Sequence, residues 1–353
     1  MKYRSIHYAV FFCLAAAVLY AGGSSDKKNA GTTPKAAAQP EWIDNPSASY
    51  ADASYMTGVG SAKTRSDAEN DAVTAISKVL NQSINAEEQT QQSFSTTSDE
   101  ISTYLSNIKT STSITDLAGV SIKANWTAPD GTEYALAVLN RTESGQYYRN
   151  KIDDNNKSIS ELLALAKKTE GTFESCSKAI KAYELAKNSD YYLSLLAIIK
   201  PVYSKTSSID YGSSNSVEQT VSELLSKINV LISVDGDTNG RIAAAFSTAL
   251  SSFGVHSFGG TSGGETVQYT LMATVSYEPV QMADSKYAFV RYNITTEMID
   301  NATGKNILPW SKNARVGKLT AAEADQAAVR TLETAVQSEY SDAIAKSLVP
   351  NNN

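Results

Sequence analysis

Histidine and cysteine, the side chains most often at the centre of catalytic or metal sites, are scarce in this chain, at two each. Apart from His7 near the start, His256 is the chain's other histidine, so any Ser-His or Cys-His nucleophile must use it. It sits in Gly254-Val255-His256-Ser257-Phe258, which reads as a strand, where a histidine is an ordinary sheet residue. His7 and Cys13 lie within the first 23 residues, which read as a cleaved leader, so the one cysteine and one histidine beyond them, Cys176 and His256, exclude cysteine-based and three-histidine zinc sites. Cys176 lies in a helical pattern and is expected as a buried small hydrophobe.

Three loops carry partial ligand signatures. Asp235-Gly-Asp237-Thr-Asn239-Gly240 matches the first half of a calcium loop, but the twelfth position, where a bidentate glutamate belongs, is Phe246. A turn capping the next helix is expected instead. The glycines from Gly259 to Gly264 have the spacing of a phosphate loop, yet Glu265 replaces the lysine that would reach phosphate. A hairpin loop fits better. Gly58-Val59-Gly60 precedes a helix as in a dinucleotide fingerprint, but the third glycine is Lys63 and no parallel βαβ unit follows. Those glycines are expected to let the chain turn tightly against the helix. The carboxylate pairs Glu87-Glu88 and Asp153-Asp154 stand in polar stretches and read as solvated charge. The sequence therefore predicts no catalytic residue, no cofactor and no metal.

The start of the chain says where it works. Lys2 and Arg4 precede a nearly unbroken apolar run, Ala9 to Ala21, followed by Gly22-Gly23 and a polar tract. That is the layout of a secretory signal peptide over residues 1–23. Val18-Leu19-Tyr20-Ala21-Gly22-Gly23 resembles a lipoprotein box in which Gly23 stands where the lipid-bearing cysteine belongs. Without a thiol no thioether can form there, so cleavage after Gly23 is expected. Cys13 lies inside the apolar run with Phe12 before it, where lipoprotein signals want a small residue. The full chain carries a net charge of −6 with no dense basic cluster, which argues against nucleic acid as a partner.

The elements that must position any site follow in order. Residues 24–39 are a Lys-, Ala-, Thr- and Pro-rich linker, with order beginning at Pro40-Glu41-Trp42-Ile43. Residues 40–150 read as a first α+β domain. It has a strand at Tyr55–Gly60 and a helix opened by a Ser66/Glu69 capping box. That helix turns Ala68, Ala72, Val73, Ile76, Val79 and Leu80 inward. A hairpin around Asp130-Gly131 follows. Glu87 to Thr115 is polar and ambiguous.

Residues 151–227 are a helical segment. Its stripes are Ile159, Leu162, Leu163 and Ala166; then Ala179, Ile180, Ala182, Tyr183 and Ala186; then Tyr191 to Ile199, stopped by Pro201. Residues 228–348 repeat the α+β plan. Strands are expected at Ile228–Val234, Val267–Glu278 and Tyr287–Ile299, with another ending near Gly317. A helix spans Arg241–Phe253, and a long Ala-rich helix spans Ala321–Leu348. Residues 349–353 form a tail. The fold class is α+β: two small sheet-plus-helix domains joined by a helical segment.

Pro40-Glu41-Trp42-Ile43, Met56-Thr57-Gly58-Val59-Gly60-Ser61-Ala62, the Ala-rich helix, and Trp126 before Tyr134-Ala135-Leu136-Ala137 occur in one order. Together they resemble the Lpp-twenty lipoprotein family of bacterial envelopes. The resemblance implies a small sheet packed by helices, exported and usually lipid-anchored, with no catalytic residues to carry over. The order of elements after residue 228 is similar to envelope lipoprotein domains of LpoB and CsgG type. The resulting expectation is a non-catalytic protein of the periplasm or outer-membrane periphery of a Gram-negative-type bacterium. It would act on other envelope proteins through exposed β-edges and tyrosines. Association with the outer membrane and the oligomeric state stay open. Two alternatives are a periplasmic ligand-binding protein with a deep apolar pocket, and a peptidoglycan-active enzyme with two carboxylates across a groove.

Overall fold

The computed structural model describes residues 38–91, 105, 117–260 and 264–348. The expected signal peptide, most of the linker, the tail and most of the ambiguous segment before Thr115 lie outside them. The described residues from Pro40 onward form one compact unit, mixed helix and strand as expected.

Three strands make the first sheet: β1 (Tyr55–Ala62), β2 (Val120–Thr127) and β3 (Glu133–Asn140). Their order is β1-β3-β2, antiparallel throughout. The hairpin joining β2 and β3 closes where expected. Gly131 takes a positive φ of 86°, and Asp130 accepts from the Thr132 amide at 2.9 Å. Helix α1 (Arg65–Gln91) lies across this sheet, burying Ala68, Ala72, Ile76, Leu80 and Ile84. It starts earlier than expected. Thr64, not Ser66, is the cap: its Oγ1 accepts from the Asp67 amide at 3.2 Å and donates to the Asp67 carboxylate at 2.7 Å. Glu69 pairs instead with Arg65. Val79 is not inward but half exposed. A stripe spaced strictly by four drifts about 40° around the helix each turn, and by Val79 the contact has moved away.

Gly58 and Gly60 explain how closely α1 approaches. Both lie within β1, not in a turn, which corrects their expected role. A Cβ on Gly58 would fall 2.3 Å from the Ala72 carbonyl oxygen, and one on Gly60 2.2 Å from the Ala72 nitrogen. Only hydrogen fits between this strand and this helix.

A helical hairpin follows: α2 (Arg141–Lys168) and α3 (Phe173–Ile199). The division expected at 150/151 falls inside α2, which runs unbroken from a cap at Asn140. There Oδ1 accepts from the Thr142 and Glu143 amides. The second and third expected stripes are one helix, α3, ending just before Pro201, which starts the short helix α4 (Pro201–Thr206). Helix α5 (Ser214–Leu225) completes this layer.

The hairpin serves both halves. At its open end Tyr148, Ile152, Leu195, Leu196 and Ile199 join the first sheet's core. Toward its turn, Ile159, Ala166, Cys176, Ala179, Ile180 and Tyr183 join the second core. Between them lies a polar seam. Asn155 donates to the Leu185 carbonyl and to Ser189 Oγ, and Asn156 donates to the Ser208 carbonyl. Each helix of about 28 residues spans roughly 42 Å. The helical hairpin is thus a strut built into two cores.

The second sheet has five strands: β4 (Asn229–Asp235), β5 (His256–Gly259), β6 (Tyr269–Val280), β7 (Ala288–Asp300) and β8 (Trp310–Lys318). Their order is β5-β4-β6-β7-β8, with β4 parallel to both β5 and β6 and the rest antiparallel. Helix α6 (Arg241–Ser251) joins β4 to β5 as a short parallel crossover and buries Ile242, Ala245, Phe246, Ala249 and Leu250.

Helix α7 (Ala321–Ala335) starts at a capping box made by Thr320 and Glu323. The expected single long helix is interrupted by a wide π turn, Val336–Tyr340, before α8 (Ser341–Leu348). The π turn drives Tyr340 into an aromatic cluster, with ring centroids 4.9 Å from Phe246 and 5.7 Å from Trp310. It also points Glu339 outward to pair with Lys312 of β8.

Candidate interaction surface

The chemical candidates resolve individually. Asp237 is used up as a cap. Its Oδ1 accepts from the Arg241 amide at 3.1 Å, and Oδ2 accepts from the Ile242 and Ala243 amides, each at 2.9 Å. The calcium-like sequence is thus the start of α6. Cys176 is fully buried, and burial pushes its thiol up to about 12, so it stays a neutral thiol at physiological pH. His256 is exposed on β5, with its backbone amide bonded to the Ile228 carbonyl at 3.0 Å. Asp153 and Asp154 are exposed on α2. The Gly259–Gly264 loop includes residues 261–263, which lie outside the described residues. Among the described residues no three His, Cys, Asp or Glu side chains gather in metal-binding geometry.

Two clefts stand out on the surface. One, of about 450 Å³, is bordered by Asp52, Arg141 and Lys200 at the open end of the helical hairpin. Arg141 fills a structural role there. Its Nε donates to the Asp52 and Tyr55 carbonyls at 2.8 and 3.2 Å, and its Nη1 to the Ile198 and Ile199 carbonyls at 2.8 and 3.1 Å. The guanidinium thus ties the last turn of α3, where the helix dipole favours a cation, to the start of β1. Its desolvation lowers its pKa from the usual arginine value.

The other cleft, of about 360 Å³, lies where the β6–β7 hairpin meets the start of α7. Pro279, Val280, Met282, Tyr287 and Phe289 line it, with Ala321 and Asp325 opposite. Three large apolar side chains near this end are unusually exposed: Met282 at 45%, Tyr287 at 51% and Leu319 at 69%.

Several local features hold this surface in shape. Ser285 caps the hairpin tip, its Oγ donating to the Tyr287 carbonyl and accepting from the Tyr287 amide. Asp284 takes a positive φ of 58° to make that bend. Phe289 lies across Gly317 of β8, where a Cβ would fall 2.4 Å from the ring. Arg315 then sits 5.1 Å above the Phe289 ring and donates to Met282 Sδ at 3.5 Å. Aromatic side chains, methionine and arginine, which come together here, are residue types enriched in protein interfaces.

Behind the patch, the outer face of the second sheet is open and polar. Asn313 donates to Asn293 Oδ1 at 2.7 Å, and Asn293 to Ser276 Oγ at 3.4 Å, forming a ladder across β8, β7 and β6. Each of the two clefts contains a single carboxylate, Asp325 or Asp52, and both are exposed. Neither offers the paired acids that hydrolysis of a glycosidic bond calls for. Sequence reading missed this patch, because its residues come from a hairpin tip, an edge strand and a helix start. The one advance signal was the apolar cluster Tyr287-Ala288-Phe289-Val290 beside a turn.

No curated protein matches this chain. Among solved structures it is similar to the secreted protein HP1454 from Helicobacter pylori. That likeness has 17% identity and a TM-score of 0.41, covering 81% of this chain and 97% of the other. It is also similar to a minor lipoprotein from Acinetobacter baumannii, at 14% identity and a TM-score of 0.23, covering 34% of this chain and 91% of the other. A third is lipoprotein GNA1162 from Neisseria meningitidis, at 18% identity and a TM-score of 0.22, covering 32% and 98% respectively. The resemblance read from Pro40-Glu41-Trp42-Ile43 onward has its counterpart here: residues 40–140 match the family model described as LPP20 lipoprotein.

Proposed function

We propose that this is an exported protein of the bacterial envelope that works by binding other proteins, without catalysis, through the surface around Met282, Tyr287, Phe289 and Arg315. The LPP20 match over residues 40–140 supports the envelope assignment. The leader-like residues 1–23 agree with it, and Gly23 argues for release rather than lipid attachment at that position. Among the described residues no helix is long and apolar enough to cross a membrane.

The observation that carries the binding role is the exposed Met282–Tyr287–Leu319 group beside the Arg315–Phe289 stack. The test is quantitative capture from envelope fractions by the full chain and by a Met282→Asp/Tyr287→Ala variant. Partners recovered by the parent and lost by the variant, with thermal stability unchanged, support this reading. Identical recovery by both would refute it. Incorporation of radiolabelled palmitate into the mature protein would separately overturn the unlipidated assignment.

A further inference from the structure

Strand β8 is the second sheet's long free edge. Its nine residues pair with β7 without a register shift, and among the described residues no strand lies on its other side. The opposite edge, β5, has only four residues. In the first sheet, β2 is broken by a bulge between Ile122 and Ala124. The ends of edge strand β1 are already engaged: Arg141 takes the Tyr55 carbonyl, and the Ser61 amide donates to Asp71 at 3.2 Å. A long unprotected edge is a template for another strand.

The charge on β8 selects what could pair with it. Lys312, Arg315 and Lys318 lie along it with no acid, in a chain whose net charge is −6. Arg291 stands beside Arg315 in register on β7. A second copy of β8 would bring three cations against three, which disfavours self-pairing. An acidic segment meets the opposite situation. Lys312 is already held by Glu339, whereas Lys318 is exposed and Arg315 is solvent-facing over the Phe289 ring. Alternate side chains of an added strand would project beside Ser311, Asn313 and Arg315 on the open face, leading directly to the Met282–Phe289 patch.

We infer that β8 is a strand-addition site for an extended acidic segment of a partner protein, with Arg315 on the open face and Lys318 on the opposite face as the selecting cations. This rests on the binding role above and specifies its partner chemistry. The test uses the full chain with two ten-residue probes that carry charge on both faces of an added strand, one of repeating Glu-Glu-Val-Val, the other of repeating Lys-Lys-Val-Val. Amide hydrogen exchange is followed along β8. The acidic probe is expected to slow exchange of β8 amides at least tenfold while the basic probe leaves them unchanged. An Arg315→Glu/Lys318→Glu variant should reverse that preference.

Protection by both probes alike, protection by neither, or self-association of the chain through β8 would overturn the inference. The outcome also separates the two proposals. If Met282→Asp/Tyr287→Ala abolishes capture of envelope partners but β8 never gains protection, the patch binds and the edge does not. If β8 is protected and capture is unaffected, the edge binds and the patch does not.

Discussion

The two sheets of this protein treat their central strands differently. In the first, β3 is buried from Ala135 to Leu139 without a break: Ala135, Ala137 and Leu139 face α1, and Leu136 and Val138 are equally covered on the other side. In the second, β7 alternates: Val290, Tyr292, Ile294, Thr296 and Met298 are buried, while Arg291, Thr295 and Glu297 face solvent. A central strand covered on both faces has its side chains committed to the core and little left for recognition. A sheet with one open face and an unblocked edge keeps backbone and side-chain groups available. The fold thus places its rigid element at one end of the α2–α3 strut and its accessible one at the other.

The closed sheet should be the less forgiving. Gly60→Val is expected to cost on the order of 3 kcal/mol or more, because the new side chain meets helix backbone at Ala68 and Ala72 and not a movable side chain. A urea midpoint close to the parent's would mean that α1 does not pack this tightly. Arg141→Ala comes next, at roughly 2–3 kcal/mol, since it takes the guanidinium donor from four carbonyls, three of them partly buried. Arg141→Lys should recover less than half of that, because an ammonium cannot span two separate carbonyl pairs.

The second core should respond in the opposite sense at one position. The Tyr340 hydroxyl is buried with no hydrogen-bond partner, and burial alone raises its pKa far above the ordinary tyrosine value. Tyr340→Phe keeps the rings stacked on Phe246 and Trp310 and is expected to raise stability by up to about 1 kcal/mol. A loss of stability would point to a hydrogen-bond partner for that hydroxyl.

The strut offers a pH probe. Burial raises the Asp190 carboxyl above its ordinary value, partly offset by a hydrogen bond from Ser214 and the charge of Lys187. Between the ordinary and the raised value the folded chain holds the proton better than the unfolded chain. Stability contributed by this group is therefore greatest at low pH, falls as pH rises through that window, and is flat above it. Asp190→Asn should be more stable than the parent at pH 7, with the gap closing below the ordinary aspartate range; denaturation midpoints at several pH values check this. Least of all, Thr295→Ala on the open face of β7 should change stability by under about 0.5 kcal/mol. A larger cost would show that face to be covered.

Local order was legible in the residues wherever periodicity and turn chemistry decide it. The inward face of α6, the Asp130-Gly131 hairpin, the stop before Pro201 and the capping use of Asp237 all follow from short-range patterns. Helix starts were less so: Thr64–Asp67 and Ser66–Glu69 are overlapping capping boxes, and only the packing of α1 on β1 chooses between them. The π turn at Val336–Tyr340 is silent in an alanine-rich pattern, because the rings Tyr340 meets, Phe246 and Trp310, lie far away in sequence. Strand direction is likewise not carried by β4 or β5 alone. The interaction surface was least visible, since Met282, Phe289, Arg315 and Leu319 acquire meaning only once β8 lies beside β7. Exposed edges were expected; which edge stays unblocked depends on Arg141 and Asp71 reaching β1 from other elements.

On the proposed function, partners are contacted at the accessible end of the molecule and not at the closed one. A photo-crosslinking amino acid placed at Met282, and in a separate chain at the equally exposed Val79 of α1, tests it in the intact envelope. A defined crosslinked species from position 282, absent from position 79 and abolished by Arg315→Glu/Lys318→Glu, is the predicted result. Crosslinking from position 79 alone, or to the same species from both positions, would contradict it.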